Sequence, residues 1–328
     1  MFKNARILLT GGTGSWGMEL TKKLLLYKPK EIRIFSRNEF TQISMQREFN
    51  HHPALKFIIG DVRDYLSLES ACRDVDYIFH LAALKHVPIC EEQPEEALKT
   101  NVVGTQNVIR AALAHRVKKV IDVSTDKAAD PVNFYGMTKS LGERLMIRAN
   151  DYSEHTDFVC IRGGNVLGTN GSVVPLFKHL IQKGEDLTLT SKEMTRFFLT
   201  VGEAIDLLLK ASEDAQGGEI FVMKMKACKI VDLAEVLIEE MGSFVGMKEI
   251  GIRPGEKLHE VLVSDHEAPY TYLFDSEHYV ILPSHPSEKL RKHYRKFEKA
   301  NFQKYQSNDL LMSKSEIAAL LREGGFIQ

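Results

Sequence analysis

The feature that most constrains the fold is a glycine-rich turn, TGGTGSWG, at residues 10–17. Gly11, Gly14 and Gly17 stand three residues apart, between the apolar run ARILL and the amphipathic segment MELTKKLLLYKP. In a dinucleotide-binding fold, the first glycine permits the tight turn, the second lets the backbone approach the pyrophosphate, and the third lets the helix pack on its strand. The N–H groups at the start of that helix attract the pyrophosphate. We therefore predict that a dinucleotide contacts the turn residues Gly11, Thr13, Gly14, Ser15, Trp16 and Gly17.

Short apolar runs alternate with longer segments of helical periodicity throughout the first half of the chain. The runs include EIRIFSR, KFIIGDVRD, DYIFHLAA and VKKVIDVST, and residues 94–117 predict one long helix between two of them. Apolar strands that alternate with helices are typical of right-handed βαβ units, in which helices cover both faces of a parallel sheet. The sequence therefore predicts a Rossmann-type, doubly wound α/β fold.

The pattern loosens after about residue 162. Strand-like runs, DLTLT, TRFFLT and GEIFVMK, alternate with helical segments at residues 201–214 and 230–242, and a last helix is predicted near 313–325. We expect residues 1–162, with later returning segments, to form the dinucleotide-binding domain, and residues 163–328 to form mainly a smaller α/β substrate-binding portion with a C-terminal arm. The basic stretch at 287–307 is interpreted as a solvated helix face or arm, because opposite charges lie close by.

Composition excludes several other classes of protein. Lys and Arg number 43 against 44 Asp and Glu, a net charge of −1 that argues against a nucleic-acid partner. The four cysteines, Cys72, Cys90, Cys160 and Cys228, lack the close spacing of a zinc site or disulfide framework, so we expect no metal and reduced, mostly buried thiols. No signal peptide and no apolar run of about 18 residues are present, so we expect no membrane span and a cytoplasmic location.

The residues that follow the second strand indicate which dinucleotide binds. An acid about 20 residues after the turn would bind a free ribose 2′-hydroxyl, whereas an arginine suits a 2′-phosphate. Ser36 and Arg37 stand at that position, with Glu39 two residues later as the argument for NAD. Because a guanidinium binds phosphate in bidentate geometry, we predict NADP rather than NAD. Asp61 and Val62, after the strand KFIIG, are expected to flank the adenine.

A second motif, STDKAADPVNFYGMTKS, follows the strand VKKVIDV. Tyr135 and Lys139 are four residues apart on a predicted helix and therefore share one face. A lysine ammonium and the nicotinamide charge lower the pKa of a nearby phenol, so the tyrosinate can accept a hydroxyl proton as hydride leaves. Thr125 can hold the same hydroxyl by a hydrogen bond. After the glycine turn, this arrangement predicts a nicotinamide-dependent enzyme.

These motifs resemble those of the extended short-chain dehydrogenase/reductases that modify nucleotide sugars. The stretch STDKAADPVNFYG resembles, more narrowly, the inverting UDP-N-acetylglucosamine 4,6-dehydratases, which also epimerise carbon 5 and supply pseudaminic acid and other surface sugars. Five further stretches resemble the same family, in order along essentially the whole chain: LAALKHVP, KTNVVGTQNV, GNVLGTNGSVVPLF, MTRFFLT and GIRPGEKLHE.

The resemblance implies a catalytic set made of Thr125, Asp126, Lys127, Tyr135 and Lys139. Oxidation of carbon 4 to a ketone acidifies the carbon-5 proton. The resemblance assigns Lys127 as the base that removes this proton and Asp126 as the acid that protonates the departing carbon-6 hydroxyl. Hydride then returns to carbon 6, and a proton reaches the opposite face of carbon 5. NADP is therefore expected to be regenerated in each turnover and to stay tightly bound.

The resemblance also implies a UDP-sugar substrate and a homo-oligomer, a dimer or higher. The substrate-binding residues that it implies are Lys85, His86, Asn165, Arg196, Arg253 and Glu256. A guanidinium fork at Arg253 would match a diphosphate, and Glu256 would bind the uridine ribose hydroxyls. Ala82, Ala83 and Lys85 are expected to lie beside the cofactor as well.

One departure from the family pattern leaves other readings open. Gly163, in RGGN, stands where an aromatic residue is expected to wall the sugar pocket. The enzyme could therefore perform only part of the cycle, on an intermediate already dehydrated between carbons 5 and 6. A UDP-hexose 4-epimerase would need Tyr135 and Thr125 but not Asp126 and Lys127. A non-catalytic protein of this fold would be expected to have lost the tyrosine or the lysine.

Overall fold

The computed structural model describes residues 1–168 and 172–328, so part of the GNVLGTNGSVVPLF stretch, residues 169–171, lies outside the described residues. Within the described ranges the strands are β1 (Arg6–Thr10), β2 (Glu31–Ser36), β3 (Leu55–Ile59), β4 (Tyr77–His80), β5 (Lys119–Thr125), β6 (Asp157–Gly163), β7 (Asn165–Val166), β8 (Leu187–Leu189), β9 (Thr195–Leu199), β10 (Ile220–Met223), β11 (Lys226–Lys229), β12 (Met247–Glu249), β13 (Val261–Val263), β14 (Thr271–Leu273), β15 (His278–Ile281) and β16 (Tyr305–Gln306).

The α-helices follow the strands of the first half and cover the small sheets of the second. They are α1 (Ser15–Leu26), α2 (Glu39–Glu48), α3 (Tyr65–Ala71), α4 (Val87–Glu92), α5 (Pro94–Leu98), α6 (Gly104–Ala114), α7 (Phe134–Ala149), α8 (Val173–Lys183), α9 (Val201–Asp214), α10 (Ile230–Glu240), α11 (Glu288–Tyr294) and α12 (Lys314–Glu323). Short 3₁₀ turns lie at Asp126–Ala128, Asn150–Tyr152 and Ala268–Tyr270. Among the described residues, no helix combines the length and apolar character that a membrane crossing requires.

A nine-stranded sheet, in the order β14-β15-β10-β6-β5-β4-β1-β2-β3, forms the centre of the molecule. Neighbours from β10 to β3 run parallel, and only β15 and β14 at the other edge pair antiparallel. Alternate residues of one strand enter different cores: Ile7 and Leu9 pack on one face of the sheet and Leu8 on the other. Because helices cover both faces, the strands need apolar residues at every position. The predicted Rossmann-type α/β fold is confirmed.

The second half contributes to the central sheet as well as to smaller ones. The smaller sheets are β11-β9-β7, β12-β8 and β13-β16, and a separate apolar core lies among α8, α10 and α12, with Phe177, Leu237 and Leu321 in it. β10, β14 and β15, however, belong to the central sheet. The division of the chain into two domains at residue 162 therefore stays a prediction. That prediction included later segments that return to the first domain, and the returning strands lie within residues 220–281.

The helix predicted at residues 94–117 is present but not uniform. α5 and α6 are joined by a single π-helical turn at Lys99–Val103, so the chain stays helical from Pro94 to Ala114. π turns inside longer helices are frequent at functional sites. The four cysteines are buried and unpaired, as the sequence predicts.

Arg162, near the end of β6, connects three parts of the chain. Its side chain is 1% exposed and forms ion pairs with Glu143 of α7 at 2.6 Å and with Glu267 at 2.9 Å. It also donates to the carbonyl oxygen of Leu262 in β13 at 2.8 Å. Removing one partner of such a buried pair leaves an uncompensated charge, which costs about 3–5 kcal/mol. Arg162 therefore holds the segment 262–267 firmly against the central sheet and α7.

Candidate active site

The carboxyl ends of the parallel strands open into a cleft of about 890 Å³. The strand order reverses between β4 and β1, and ligands of open α/β sheets bind beside such a reversal. All but one of the predicted site residues line this cleft: Gly11, Thr13, Gly14, Ser15, Trp16, Gly17, Ser36, Arg37, Asp61, Val62, Ala82, Ala83, Lys85, His86, Thr125, Lys127, Tyr135, Lys139, Asn165, Arg196, Arg253 and Glu256. The exception is Asp126, which is fully buried behind Thr125 and Lys127.

The glycine turn is a close-packed backbone cradle at one end of the cleft. Gly11 has a φ of 66°, and a Cβ there would lie 2.8 Å from the Cα of Ala82. A Cβ on Gly17 would lie 2.1 Å from the carbonyl oxygen of Gly12, so α1 can begin this close to the turn only with glycine. Among the described residues, no side chain caps α1 at Gly14 and no acid stands in its first turn. The turn therefore fits the pyrophosphate of a dinucleotide.

Arg37 lies just beyond β2, with its side chain 55% exposed and its guanidinium 4.0 Å from the Asp61 carboxylate. Arg63 holds the same carboxylate at 2.6 Å. Burial opposes ionisation of Asp61, but the hydrogen bonds from Arg63 and the charge of Arg37 keep its pKa below the usual value. Because Arg63 already neutralises Asp61, Arg37 can bind an anion at the ribose end of the cleft.

Asn101, which the sequence analysis missed, fixes the backbone that leads to Lys85. Its side chain accepts from the Leu84 amide at 2.8 Å, and it donates to the Leu84 carbonyl and to Thr138 Oγ1, each at 2.9 Å. The residue lies within the π turn, and its side chain is buried. Its local sequence gave no signal for this role, because the contacts depend on the packing of the π turn against Leu84 and Thr138. Burial lowers the pKa of the neighbouring Lys85.

Tyr135 and Lys139 project from the first two turns of α7, as the four-residue spacing predicts. Asp122 of β5, a residue the sequence analysis did not single out, lies 3.3 Å from Lys139 Nζ. Burial would lower the pKa of Lys139, but the Asp122 carboxylate raises it above its ordinary value. Lys139 is therefore a permanent cation, held by a carboxylate that the strand places beneath it.

The pKa of Tyr135 differs from the expectation. Burial raises the pKa of its phenol, and the charges of Lys139 and Lys127 and the hydrogen bond to Thr125 offset that increase only in part. Lys139 lowers the pKa of Tyr135 as predicted, but in the protein alone this effect is smaller than the increase that burial causes. Full activation of Tyr135 therefore depends on the additional positive charge that an oxidised nicotinamide would bring.

A chain of charged side chains crosses the substrate end of the cleft. Lys127 Nζ lies 3.0 Å from Asp126 Oδ1 and 3.3 Å from Glu260 Oε1, and Glu260 Oε1 is also 3.4 Å from Arg196 Nε. Thr125 Oγ1 donates to Asp126 Oδ1 at 2.8 Å. Burial would lower the pKa of Lys127, but the two carboxylates raise it well above the usual value. Lys127 is therefore an ammonium in this state.

Glu260 was quoted in the GIRPGEKLHE stretch but not recognised as a site residue. Its side chain is 3% exposed and lines the cleft, and its Oε2 has no hydrogen-bond partner among the described residues. The Oε2 of Glu256 and the hydroxyl of Ser124, also in the cleft wall, likewise have none there. Buried polar atoms of native proteins are nearly always paired, so these three groups indicate that polar ligand atoms fill the cleft.

The segment that carries Arg253 and Glu256 is fastened to the start of α7. Asn133 caps α7 through Gly136 and donates to the Gly255 carbonyl at 2.8 Å. Lys257 Nζ donates to the Ala129 carbonyl at 2.6 Å. Arg253 itself is 56% exposed, 3.9 Å from Glu256, and thus free to contact an anion at the cleft mouth.

Gly163 does not itself line the cleft. It ends β6, and a Cβ placed on it would lie 3.1 Å from Met223 Sδ. The space beside Gly163 is therefore already occupied by the Met223 side chain. That the missing aromatic residue alters the sugar pocket stays a prediction.

Comparisons with known proteins match this chain along most of its length. Residues 7–281 match the family described as polysaccharide biosynthesis protein. The chain is 47% identical over 288 residues to a UDP-N-acetylglucosamine 4,6-dehydratase (inverting) from Campylobacter jejuni, covering 87% of this chain and 84% of the relative. It is 46% identical over 273 residues to a UDP-glucose 4-epimerase from Rickettsia typhi, covering 81% and 80%.

A solved structure has the same architecture throughout. The X-ray structure of Pen from Bacillus thuringiensis superposes with a TM-score of 0.92 and covers all of both chains at 38% sequence identity. The match includes the small sheets that lie outside the dinucleotide-binding core.

The glycine turn generates a testable difference between two helical glycines. We expect Gly17→Ala to lower dinucleotide affinity and thermal stability, because the new Cβ would meet the backbone of Gly12. Gly202 lies near the start of α9, where among the described residues outside the helix's own backbone only Thr200 Oγ1 comes within 4.0 Å of an added Cβ. We expect Gly202→Ala to leave dinucleotide affinity unchanged and to raise stability by at most about 1 kcal/mol. Calorimetric titration with the dinucleotide and thermal melts measure both. Equal behaviour of the two variants would contradict the close-packing argument.

Proposed function

This chain belongs to the polysaccharide biosynthesis protein family, and from that membership we propose that it is an NADP-dependent UDP-N-acetylglucosamine 4,6-dehydratase that inverts carbon 5. The product is UDP-2-acetamido-2,6-dideoxy-β-L-arabino-hex-4-ulose. The observation that carries the proposal is the contact of Asp126 with Lys127 beside Thr125 and Tyr135, at one end of a cleft that also holds a dinucleotide cradle. The similarity to the inverting Campylobacter enzyme supports it.

The chain supplies a residue for each proton movement up to the loss of water. A nicotinamide held in the cleft that Tyr135 and Lys139 line would supply the hydride acceptor for carbon 4 and the hydride donor for carbon 6. Tyr135 accepts the proton of the carbon-4 hydroxyl, which Thr125 orients, and the cation at Lys139 stabilises the resulting phenolate. Lys127 removes the carbon-5 proton made acidic by the new ketone. Asp126 provides the proton with which the carbon-6 hydroxyl leaves as water.

Other charged residues of the cleft fit the nucleotide diphosphate. Arg196 and Arg253 provide guanidinium groups that match phosphate oxygens. Glu256 has a buried carboxylate oxygen that can accept from ribose hydroxyls. Asn165, whose Oδ1 is 3.4 Å from Lys127 Nζ, and Lys85 line the same cleft, and we propose that they contact the sugar. The four buried cysteines are consistent with a reducing, cytoplasmic setting, and we propose a surface sugar such as pseudaminic acid as the destination of the product.

A UDP-hexose 4-epimerase is the second candidate. The 46% identity to the Rickettsia protein of that name favours it. Epimerisation at carbon 4 needs Thr125 and Tyr135 but does not require an acid and a base beside them. The buried Asp126 and its contact with Lys127 therefore favour dehydration. An enzyme of this family that performs only part of the cycle on a 5,6-ene intermediate is the third candidate, motivated by Gly163.

Incubation with UDP-N-acetylglucosamine distinguishes these candidates. We expect a product lighter by one water molecule, with inverted carbon 5 in its proton NMR spectrum. An isomer of unchanged mass would show an epimerase, and conversion of only the 5,6-ene compound would show a partial cycle. Tyr135→Phe should reduce turnover at least about 100-fold, because the proton acceptor is lost, while the cofactor still binds. Unchanged turnover in that variant would contradict the mechanism.

The choice of NADP rests on Arg37. Its guanidinium is half-exposed, and Arg63 rather than Arg37 makes the shorter contact with Asp61. We expect Arg37→Ala to weaken NADP binding about 10- to 100-fold, the equivalent of one charged hydrogen bond. The affinity for NAD, which lacks the 2′-phosphate, should not change. Calorimetric titration with each dinucleotide measures this, and an equal loss for both would refute the NADP assignment.

The apolar face of α5, the π turn and α7 supports the proposed homo-oligomer. Leu98, Val103, Met137 and Leu141 are 38–46% exposed on helical segments that pack against one another. A second copy related by a two-fold axis would present the same residues and cover them. We expect the double variant Leu98→Arg, Leu141→Arg to be monomeric by light scattering. The control Leu310→Arg, on an 83% exposed leucine elsewhere, should keep the native mass. A monomeric wild-type protein would contradict this proposal.

A further inference from the structure

Lys127 cannot act as a base in the state that the structure shows. A lysine ammonium has three N–H donors and no acceptor. Three oxygens surround Lys127 Nζ: Asp126 Oδ1 at 3.0 Å, Glu260 Oε1 at 3.3 Å and Asn165 Oδ1 at 3.4 Å. Each N–H group therefore has an acceptor, and no electron pair faces the substrate. If the proposed dehydration is correct, one of these protons must leave before carbon 5 is deprotonated.

Two of the three neighbouring groups can take that proton. An amide oxygen such as that of Asn165 is too weak a base, which leaves the carboxylates of Asp126 and Glu260. Glu260 Oε1 is shared with a second cation, because it also lies 3.4 Å from Arg196 Nε. Asp126 Oδ1 is the nearer acceptor, at 3.0 Å against 3.3 Å, and it also contacts the Thr125 hydroxyl in the cleft wall. The geometry therefore favours Asp126.

The loss of water requires an acid, and the proposed function assigns that role to Asp126, which must then carry a proton. The departing hydroxyl needs an acid at the same moment as carbon 5 needs a base. We propose that Lys127 transfers one proton to Asp126 once substrate fills the cleft, so that a single internal transfer creates both the base and the acid of the elimination. The inference deepens the proposed function and rests on it.

The transfer balances over the elimination step without a proton from solvent. One N–H bond of Lys127 breaks and an O–H bond forms on Asp126. The C5–H bond then breaks, its proton joins Lys127, its electron pair forms the C5–C6 double bond, and the C6–O bond breaks. The Asp126 proton leaves with that oxygen as water. Lys127 is again an ammonium and Asp126 a carboxylate, which is the starting arrangement.

The hydroxyl of Thr125 explains how a fully buried Asp126 can protonate a group in the cleft. In the charged state, Thr125 Oγ1 donates to Asp126 Oδ1. Once Asp126 carries a proton it becomes the donor, and the Thr125 hydrogen turns toward the cleft, which Thr125 lines. Thr125 then gives its proton to the departing oxygen as Asp126 replaces it. The order of these contacts along the chain, Lys127 to Asp126 to Thr125, is the order of the proton transfers.

Two matched variants test the direction of the transfer. Asp126→Asn and Glu260→Gln each replace one carboxylate beside Lys127 by an isosteric amide. Each holoenzyme is incubated with UDP-N-acetylglucosamine in D₂O, and deuterium at carbon 5 of the recovered sugar is measured by NMR and mass spectrometry. We expect Asp126→Asn to slow exchange at carbon 5 at least about 100-fold. We expect Glu260→Gln to slow exchange much less than Asp126→Asn does, because Asp126, the nearer carboxylate, is still present.

Other outcomes overturn the inference. If Asp126 is only the acid for the leaving hydroxyl, Asp126→Asn will exchange carbon 5 normally while losing no water. If Glu260→Gln loses exchange at carbon 5, whether or not Asp126→Asn also loses it, then Glu260 is needed to remove the proton from Lys127, and the inference is wrong. When substrate is added, Asp126→Asn must still show the near-ultraviolet absorbance of reduced nicotinamide, because Tyr135 and Lys139 carry out the oxidation at carbon 4. If that absorbance does not appear, the result also counts against the inference. A wild-type protein that neither exchanges carbon 5 nor releases water would instead refute the proposed function.

Discussion

The arrangement of the site depends on one buried guanidinium. Arg162 joins β6 to α7 through Glu143 and to the segment after β13 through Glu267. α7 carries Tyr135 and Lys139, while the same C-terminal stretch carries Glu256 and Glu260. One ionic junction therefore connects the helix that carries Tyr135 and Lys139 with the segment that follows Glu256 and Glu260, although more than a hundred residues separate the two in sequence.

The main elements of the fold could be predicted because local rules agree there. The turn at residues 10–17, the apolar strands and the helix at 201–214 each follow from spacing alone, and the structure places α9 at Val201–Asp214. Parallel strands also bring their carboxyl ends together, so residues predicted from separate motifs line one cleft. The short strands β11 to β16 have only two to four residues each, too few for a period to be visible.

The parts of the site that sequence reasoning missed are partners rather than reactive groups. Asp122 and Asn101 act through Lys139 and Leu84, and nothing in their local sequence records a contact made across the fold. Glu260 meets Lys127 across the fold, because contacts such as that of Arg162 with the Leu262 carbonyl hold its segment in place. Burial likewise reverses the expected pKa of Tyr135, since desolvation is a property of packing and cannot be obtained from the spacing of Tyr135 and Lys139.

The position of β10 in the central sheet has a consequence for how the chain is made. β10 lies between β6 and β15, and its residues follow those of β6 by more than fifty positions. While the ribosome is still synthesising the intervening segment, the hydrogen-bonding edge of β6 has no neighbour and can template pairing with another chain. The central sheet is therefore complete only after residues up to Ile281 have been synthesised, and the outer edge of β6 stays unpaired on the growing chain until β10 follows it.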